Sequence, residues 1–129
     1  MSPATRRMGL PKVATVALAA LTAAAAAADG NAVRAQTLYE ERCSGCHSLD
    51  SHRVGPLHRG VVGRRAGSAP GYEYSPALAR AKIVWDARAL DAWLADPEKL
   101  FPGQRMGYRV TDAADRADLI AYLQRESMR

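Results

Sequence analysis

The sequence has few cysteines and methionines, and after residue 28 it lacks long apolar runs. Its 129 residues include two cysteines, Cys43 and Cys46, which lie in one short segment. This excludes the small secreted scaffolds that several disulfides hold together. Beyond residue 28 no apolar run reaches the roughly 20 residues that a transmembrane helix needs. The length suits one small domain.

The N-terminal segment has the three parts of a secretory signal peptide. Residues 1–12 are basic and contain no acid, and residues 13–28 carry no charge and end in alanines. We therefore predict that residues 1–28 are a cleaved signal peptide and that residues 29–129 form the mature domain. An uncleaved membrane anchor would need about 20 apolar residues, and this run is shorter and mostly alanine. Cleavage after Ala35 is a second possibility, which would remove part of the first predicted helix.

The formal net charge of +5 comes mainly from the predicted signal peptide. The chain has 18 Lys and Arg residues and 13 Asp and Glu residues, and Arg6, Arg7 and Lys12 all lie in the signal peptide. The mature domain is therefore nearly balanced in charge, which excludes a polycationic protein that binds nucleic acid. Export would place this domain outside the cytoplasm. We predict the periplasm as its location, without stable insertion into a membrane.

Three stretches have the pattern of helices. Asn31 to Arg42 precedes the first cysteine, and Asp86 to Ala95 begins with a capping acid and stops before Pro97. Thr111 to Arg125 begins with two cap candidates, and its large apolar residues recur at helical spacing. Between the first two, His47 to Trp85 is rich in Gly, Pro and basic residues and shows no strand alternation. Because so long a loop is typical of a segment around a ligand, we predict a small all-α domain whose loops enclose one.

Cys43, Cys46 and His47 form a Cys-x-x-Cys-His motif, which is the attachment signature of c-type haem. Two cysteines at the end of a helix can each form a thioether to one of the two vinyl groups on a haem edge. The imidazole that follows reaches the iron from one face through Nε2, while its Nδ1–H donates to a backbone carbonyl. The motif therefore predicts one covalently bound haem c.

Other functions are compatible with two cysteines at this spacing. A thioredoxin-like redox pair lies at a strand-to-helix junction, but no β-rich pattern precedes Cys43. A zinc knuckle needs two further soft ligands, and the chain has no third cysteine. A plain disulfide between Cys43 and Cys46 would give no role to His47. The haem interpretation is therefore favoured.

Elimination among the methionines and histidines indicates the second axial ligand. Two of the four methionines lie in the predicted signal peptide, and Met128 lies next to the C-terminus. Met106 remains, in a loop where Pro and Gly bend the chain and can bring the thioether onto the open face of a haem. The rivals are His52, which is close to His47 in sequence, and His58, which we expect near the Gly-Pro turn on the proximal side. We expect both rivals to face solvent or to pack within the loops.

With these motifs the chain resembles the class I c-type cytochromes, the branch that includes mitochondrial cytochrome c and its bacterial relatives. The resemblance spans nearly all of Asp29 to Arg125. Its marks besides the haem motif are Val54 to Pro56, Gly60 to Arg64, Gly71 to Tyr74, Ile83 to Trp85, Asp96-Pro97, Pro102 to Met106 and Arg116 to Leu123. The resemblance implies the small cytochrome c fold, with three main helices and long loops wrapped around one covalently bound haem. It also implies that the first and last helices cross at Tyr39, Leu119 and Tyr122.

The same resemblance implies roles for residues around the haem. Pro56 is expected to contribute the carbonyl that accepts the Nδ1–H of His47. Tyr74 and Trp85 are expected to hydrogen-bond a buried haem propionate, and Arg64 to be the nearby cation that offsets its charge. A buried carboxylate needs such partners because its burial is otherwise costly.

Several positions depart from the family's pattern. After Gly-Pro the chain has Leu57-His58-Arg59-Gly60, where relatives often have Asn-Leu-His-Gly. Leu78 stands at a position inside the haem crevice that is often Asn, and Trp93 replaces a Tyr that often packs beside the ligand methionine. These last two changes remove polar groups near the iron.

The resemblance implies a soluble monohaem carrier of single electrons and not an enzyme, because ligation by His47 and Met106 would leave no open position on the iron. Its partners would be redox proteins that bind briefly through charge-steered interfaces, and we expect a monomer. Arginines in loops expected to border the haem favour an acidic-faced partner; they are Arg53, Arg59, Arg64, Arg65, Arg105 and Arg109. Two alternatives stay open, a haem-based sensor of a small ligand and a cytochrome subunit of a periplasmic dehydrogenase or oxidase.

Overall fold

A computed structural model describes residues 31–129, and the structural statements below concern these residues. The predicted signal peptide, residues 1–28, and its boundary with the mature domain lie outside the described residues. No helix in the described part of the chain is long and apolar enough to cross a bilayer.

Five helices joined by loops make up the described chain. They are α1 (residues 31–42), α2 (Pro76–Ala79), α3 (Ala87–Ala95), α4 (Pro97–Leu100) and α5 (Ala113–Ser127). Residues 31–129 contain no strand, and an isolated antiparallel bridge joins Arg65 to Val84. The predicted all-α fold with three main helices is confirmed, the main helices being α1, α3 and α5.

Aspartate side chains fix the starts of α3 and α5. The carboxylate of Asp86 accepts a hydrogen bond from the backbone N–H of Ala89 at 2.7 Å, and that of Asp112 accepts one from Asp115 at 2.8 Å. Such caps satisfy amide groups that have no partner in the first turn of a helix. With Asp112 as the cap, α5 begins two residues after the start of the predicted range, and it also ends two residues after the predicted end.

A proline ends α3 and also begins α4. The helix α3 stops before Pro97 as predicted, and Asp96 has extended backbone angles because a following proline disfavours the helical region. Pro97 then takes the first position of α4, where its missing N–H removes no helical hydrogen bond. The Asp96 carboxylate caps this helix by accepting a hydrogen bond from Lys99 at 3.1 Å. The sequence analysis did not predict α4.

The long loop predicted between α1 and α3 contains one short helix, α2, which was not predicted from the sequence. Ser75 caps α2 by accepting a hydrogen bond from the N–H of Leu78 at 3.2 Å. Gly67 has a φ of +69°, and a Cβ added there would lie 2.0 Å from the carbonyl oxygen of Leu78. The chain therefore folds back so closely against α2 that only glycine fits at position 67.

The core lies where α1 crosses α5. The buried side chains at this crossing are Ala35, Leu38 and Tyr39 of α1 and Leu119, Ile120, Tyr122 and Leu123 of α5. The rings of Tyr39 and Tyr122 stack with their centroids 4.6 Å apart. The predicted crossing of the first and last helices is thus confirmed. The helix α3 packs on α5, and Val110 donates its N–H to the carbonyl of Leu94 at 2.8 Å.

Two acidic residues of α5 are buried, one near each end of the helix. Asp115 pairs with Arg34 and Arg42 of α1, and Glu126 pairs with Arg59 of the long loop at 3.3 Å. These ion pairs tie α5 to α1 and to the long loop. They were not predicted from the sequence.

Candidate functional site

The two cysteines lie in a turn that directly follows α1. Cys43 donates its N–H to the carbonyl of Tyr39 at 2.9 Å, and the N–H groups of Cys46 and His47 both donate to the carbonyl of Cys43, at 3.1 and 2.9 Å. Cys43 is half-buried, Cys46 is exposed, and neither forms a disulfide. This turn therefore presents two thiols and an imidazole within five consecutive residues.

The surroundings of Cys43 do not suit a thioredoxin-like redox pair. Burial raises the pKa of the Cys43 thiol to about 11, whereas reactive thiols in such pairs have lowered pKa values. Within residues 31–129, no group of three or more His, Cys, Asp or Glu side chains is arranged to hold a metal ion, so a zinc knuckle has no support either. Because the two thiols are also not joined in a disulfide, their surroundings favour covalent attachment of a cofactor.

His47 is buried and held through one ring nitrogen. Its Nδ1 lies 2.8 Å from the carbonyl oxygen of Pro56, which is the hydrogen bond that the resemblance implies. Gly55 donates its N–H to the carbonyl of Cys46 at 2.8 Å, which fixes the Gly-Pro segment beside the cysteine turn. Burial lowers the pKa of His47, so the ring is neutral at neutral pH. Its Nε2 has no hydrogen-bond partner among the described residues and is therefore the nitrogen that can bind a metal.

The other two histidines have structural partners. Nε2 of His52 donates to the carbonyl of Pro70 at 2.8 Å, and its Nδ1 accepts the N–H of Leu57 at 3.1 Å, so both nitrogens are engaged. The half-buried ring of His58 stacks on the ring of His47, with centroids 4.0 Å apart and an angle of 19° between the planes. Of the two expectations for His58, packing within the loops is correct. The sequence analysis did not predict that it packs on the ligand candidate itself.

Met106 lies in the loop between α4 and α5. Its side chain is half-buried against the core, and its carbonyl accepts the N–H of Tyr108 at 2.8 Å. The hydroxyl of Tyr108 lies 3.4 Å from a guanidinium nitrogen of Arg42, the last residue of α1. This contact links the loop of residues 101–112, called the methionine loop below, to the residue that precedes Cys43.

Arg64, Tyr74 and Trp85 lie close together in the long loop. Trp85 donates its backbone N–H to the carbonyl of Arg64 at 2.9 Å, and the Tyr74 hydroxyl accepts the N–H of Ala69 at 3.2 Å. Within the described chain, the indole N–H of Trp85 has no acceptor, and the hydroxyl proton of Tyr74 has none either. The guanidinium of Arg64 donates only to backbone carbonyls, and its burial lowers its pKa.

An aromatic cluster completes the loop region. The ring centroids of Trp85 and Trp93 are 5.5 Å apart, and those of Trp93 and Phe101 are 6.1 Å apart. Trp93 was expected beside the methionine from the family resemblance, whereas Phe101 was not predicted from the sequence. Because Phe101 directly precedes the Pro-Gly bend before Met106, its position in the sequence was the available indication. This cluster gives the region apolar walls.

The chemistry of these side chains fits haem c. Two free thiols match the two vinyl groups, while a neutral imidazole and a thioether are common axial ligands of haem iron. A haem also carries two propionates. Two unused hydrogen-bond donors and a partly buried guanidinium with no carboxylate partner in residues 31–129 suit such an anion, because an unpaired buried charge is costly.

Comparison with known proteins identifies the family. The family model for cytochrome c matches residues 32–126. The chain belongs to the cytochrome c family. Among its relatives, a cytochrome c2 of Rhodomicrobium vannielii is 36% identical over 87% of this chain and 92% of its own length. A cytochrome c of Euglena viridis is 41% identical over 73% of this chain and 95% of its own length.

A solved structure supports the same assignment. Cytochrome cH from Methylobacterium extorquens superposes with a TM-score of 0.69 at 38% identity and covers 73% of this chain and 97% of its own. The small cytochrome c fold predicted from the sequence is therefore confirmed. As a member of this family, the chain is a c-type cytochrome that binds haem c covalently and takes part in electron transport.

Proposed function

We propose that this cytochrome carries single electrons between redox proteins outside the cytoplasm and is not itself an enzyme. The observation that carries the proposal is the environment of His47. The ring is buried and its Nδ1 is engaged with Pro56, while its Nε2 is free to ligate among the described residues. Two free thiols, Cys43 and Cys46, precede it within one turn.

In this proposal Cys43 and Cys46 would form the thioether bonds to the haem, and His47 and Met106 would ligate its iron. The bound haem supplies an iron that cycles between the ferric and ferrous states. The carbonyl of Pro56 orients the His47 ring, and such outer partners also set the basicity of a ligating imidazole. With both axial positions taken by side chains, no position is left for a substrate.

The propionate contacts are part of the same proposal. The hydroxyl of Tyr74 and the indole N–H of Trp85 donate to one propionate, and Arg64 offsets its negative charge. This use explains why Arg64 is partly buried without a carboxylate partner in the described chain. Hydrogen bonds to a charged acceptor are shorter and stronger than those between neutral groups, which suits a carboxylate taken out of water.

The location and assembly are also proposals. We propose that residues 1–28 are removed on export, that the mature protein is a periplasmic monomer, and that it meets its partners only briefly. Mass spectrometry of protein recovered from the periplasm should give an N-terminus at Asp29 and the added mass of one haem. An N-terminus at Gln36 would instead support the alternative cleavage site. Elution as a dimer or larger species at micromolar concentration would contradict the monomer.

The Met106 assignment is tested by the visible spectrum of the ferric protein, which contains an absorption band from the methionine–iron bond. We expect the band in the wild type and its loss in Met106→Leu, together with rapid binding of carbon monoxide to the ferrous variant. Met128→Leu, which changes an exposed methionine, should leave the spectrum unchanged. Rapid binding of carbon monoxide to the wild type would overturn the electron-carrier proposal in favour of a ligand sensor.

A further inference from the structure

His58 is the side chain near the proposed ligand that neither the haem motif nor the family resemblance explains. Its ring lies parallel to that of His47, at a centroid distance of 4.0 Å and an angle of 19°. Its Nδ1 is 3.0 Å from the hydroxyl of Tyr39. Tyr39 in turn stacks on Tyr122 at the crossing of α1 and α5. A continuous row of four rings therefore runs from His47 into the core.

This arrangement belongs to the part of the sequence that departs from the family. In the run Leu57-His58-Arg59-Gly60, His58 occupies the position where relatives often have leucine. A leucine at this position could contact His47, but it could not accept or donate the hydrogen bond to Tyr39. The hydrogen bond matters because it holds one ring atom of His58 against Tyr39, a restraint that a purely apolar contact would not provide.

The contacts of His47 show what a second ring adds. The hydrogen bond from Nδ1 to Pro56 holds one atom and leaves the imidazole free to tilt about the line between Nδ1 and the carbonyl oxygen. A parallel ring against its face removes this freedom, because tilting would push the two rings into each other or separate them. Groups that contact a metal-ligating histidine without binding the metal help to set the orientation of its ring.

We propose that His58 is a positioning residue that fixes the plane of the His47 imidazole, with Tyr39 anchoring it to the crossing of α1 and α5. This inference rests on the proposed function, because it requires His47 to bind the haem iron. In this proposal His58 acts only through His47. It determines the direction in which the plane of the His47 ring points.

The orientation of an axial imidazole is visible in the proton NMR spectrum of a ferric haem protein, since it sets the spread and order of the haem methyl signals. We expect His58→Leu to change this spread and order. His58→Phe keeps a flat ring on His47 and should restore most of the wild-type pattern. Tyr39→Phe removes only the hydrogen bond and should produce a smaller change in the same direction as His58→Leu.

A matched control separates positioning from loss of stability. Ile120 is buried in α5, so Ile120→Ala should lower the melting temperature without altering the haem methyl pattern. A wild-type pattern in haem-loaded His58→Leu would overturn the inference. If that variant does not fold, the inference is overturned when Tyr39→Phe changes the pattern no more than Ile120→Ala does. A wild-type protein without a histidine-ligated haem c would overturn the proposed function instead.

Discussion

At the scale of single residues, the site depends on how closely the backbone at Gly55 approaches the ring of His47. A Cβ added at Gly55 would lie 2.1 Å from Cε1 of this ring and 2.5 Å from its Nδ1. Atoms at such distances cannot coexist, so the imidazole would have to move away from Pro56. Glycine at position 55 is thus needed for the close approach, since its φ is not in the left-handed region.

Gly55→Ala should therefore displace His47 and lower the free energy of unfolding by about 1–3 kcal/mol, the usual cost of overpacking a filled site. Urea unfolding of the haem-loaded protein measures this change, and the visible spectrum reports the weakened ligation. Gly45→Ala is the matched control, because a Cβ at position 45 meets no atom within 4 Å. Equal effects of the two substitutions would contradict the close packing of Gly55 on His47.

Tyr39 makes stability depend on pH in alkaline solution. Burial raises the pKa of Tyr39 well above its ordinary value of 10. The unfolded chain therefore loses the Tyr39 proton near its ordinary pKa of about 10, whereas the folded protein keeps it to a higher pH. For this reason the free energy of unfolding falls as pH rises above about 10.

Tyr39→Phe removes the contribution of Tyr39 to this pH dependence. The variant should be less stable than the wild type near pH 7 by about 1 kcal/mol, because it lacks the hydrogen bond to His58. Above pH 10 the difference should shrink, as only the wild type loses stability through this ionisation. Urea unfolding at a series of pH values measures it, and a difference that stays constant with pH would show that Tyr39 titrates normally.

At the scale of helices, the pairing of α1 with α5 combines apolar packing with buried charge. Asp115 is the centre of the ionic part, with a side chain only 12% exposed and two arginine partners from α1. The partners, Arg34 and Arg42, are 47% and 42% exposed, so water weakens the attraction. The loss of one such charged hydrogen-bond acceptor costs about 1–3 kcal/mol, and the exposure of the arginines places this case toward the lower end.

Asp115→Asn should accordingly lower the free energy of unfolding by about 1 kcal/mol or slightly more, as measured by thermal or urea unfolding. Asp50→Asn is the control, because Asp50 pairs with Arg59 through a carboxylate that is 70% exposed. A surface pair of this kind adds little to stability because water screens the attraction. A larger loss for Asp50→Asn than for Asp115→Asn would rule out the buried carboxylate as the stronger contributor.

The helices show which features a single sequence encodes locally. The main helices were predictable because their caps and their apolar spacing lie within the same short segment, as Asp86 and α3 illustrate. The helix α4 was not predicted, because the proline after Asp96 indicates the end of α3 and gives no sign that a new helix begins at the same residue. The burial of Asp115 and Glu126 was not predictable either, because their arginine partners lie far away in the sequence.

The same distinction applies to the candidate site. Cys43, Cys46 and His47 are adjacent in sequence, so their spacing alone predicts the haem. Met106 was identified as the second ligand by eliminating the other methionines and histidines. Pro56 was identified as the acceptor for His47 by resemblance alone. The stacking of His58 on His47 was not predicted, because it depends on how the loop folds back over the cysteine turn, and no local pattern encodes that fold.

At the scale of the whole molecule, the arginines predicted to border the haem have different surroundings. Arg59 pairs with Asp50 and Glu126, and Arg109 pairs with Asp96 at 2.9 Å. Arg105 is exposed, and its guanidinium has no partner among the described residues. An exposed charge without a partner is free to attract an approaching molecule of opposite charge, and Arg105 lies in the methionine loop, one residue from Met106.

Arg105→Glu should slow the oxidation of the ferrous protein by ferricyanide, an anionic oxidant, several-fold at low ionic strength, and the difference should fade in salt. Stopped-flow absorbance measures both rates. Arg88→Glu makes the same charge change at an exposed position of α3 and should have a smaller effect. Equal slowing by both substitutions would mean that only net charge matters and that Arg105 has no special place in the encounter.

The meeting of α1 with α5 also has a consequence for the order of events during folding. Leu38 and Tyr39 lie close to Cys43 in sequence, but their burial needs α5, which lies at the other end of the described chain. Contacts between such distant segments form slowly because a long loop must first close. Until then the turn with Cys43 and Cys46 has no finished core behind it. This delay leaves an interval in which a haem can be attached to both thiols before the last helix completes the fold.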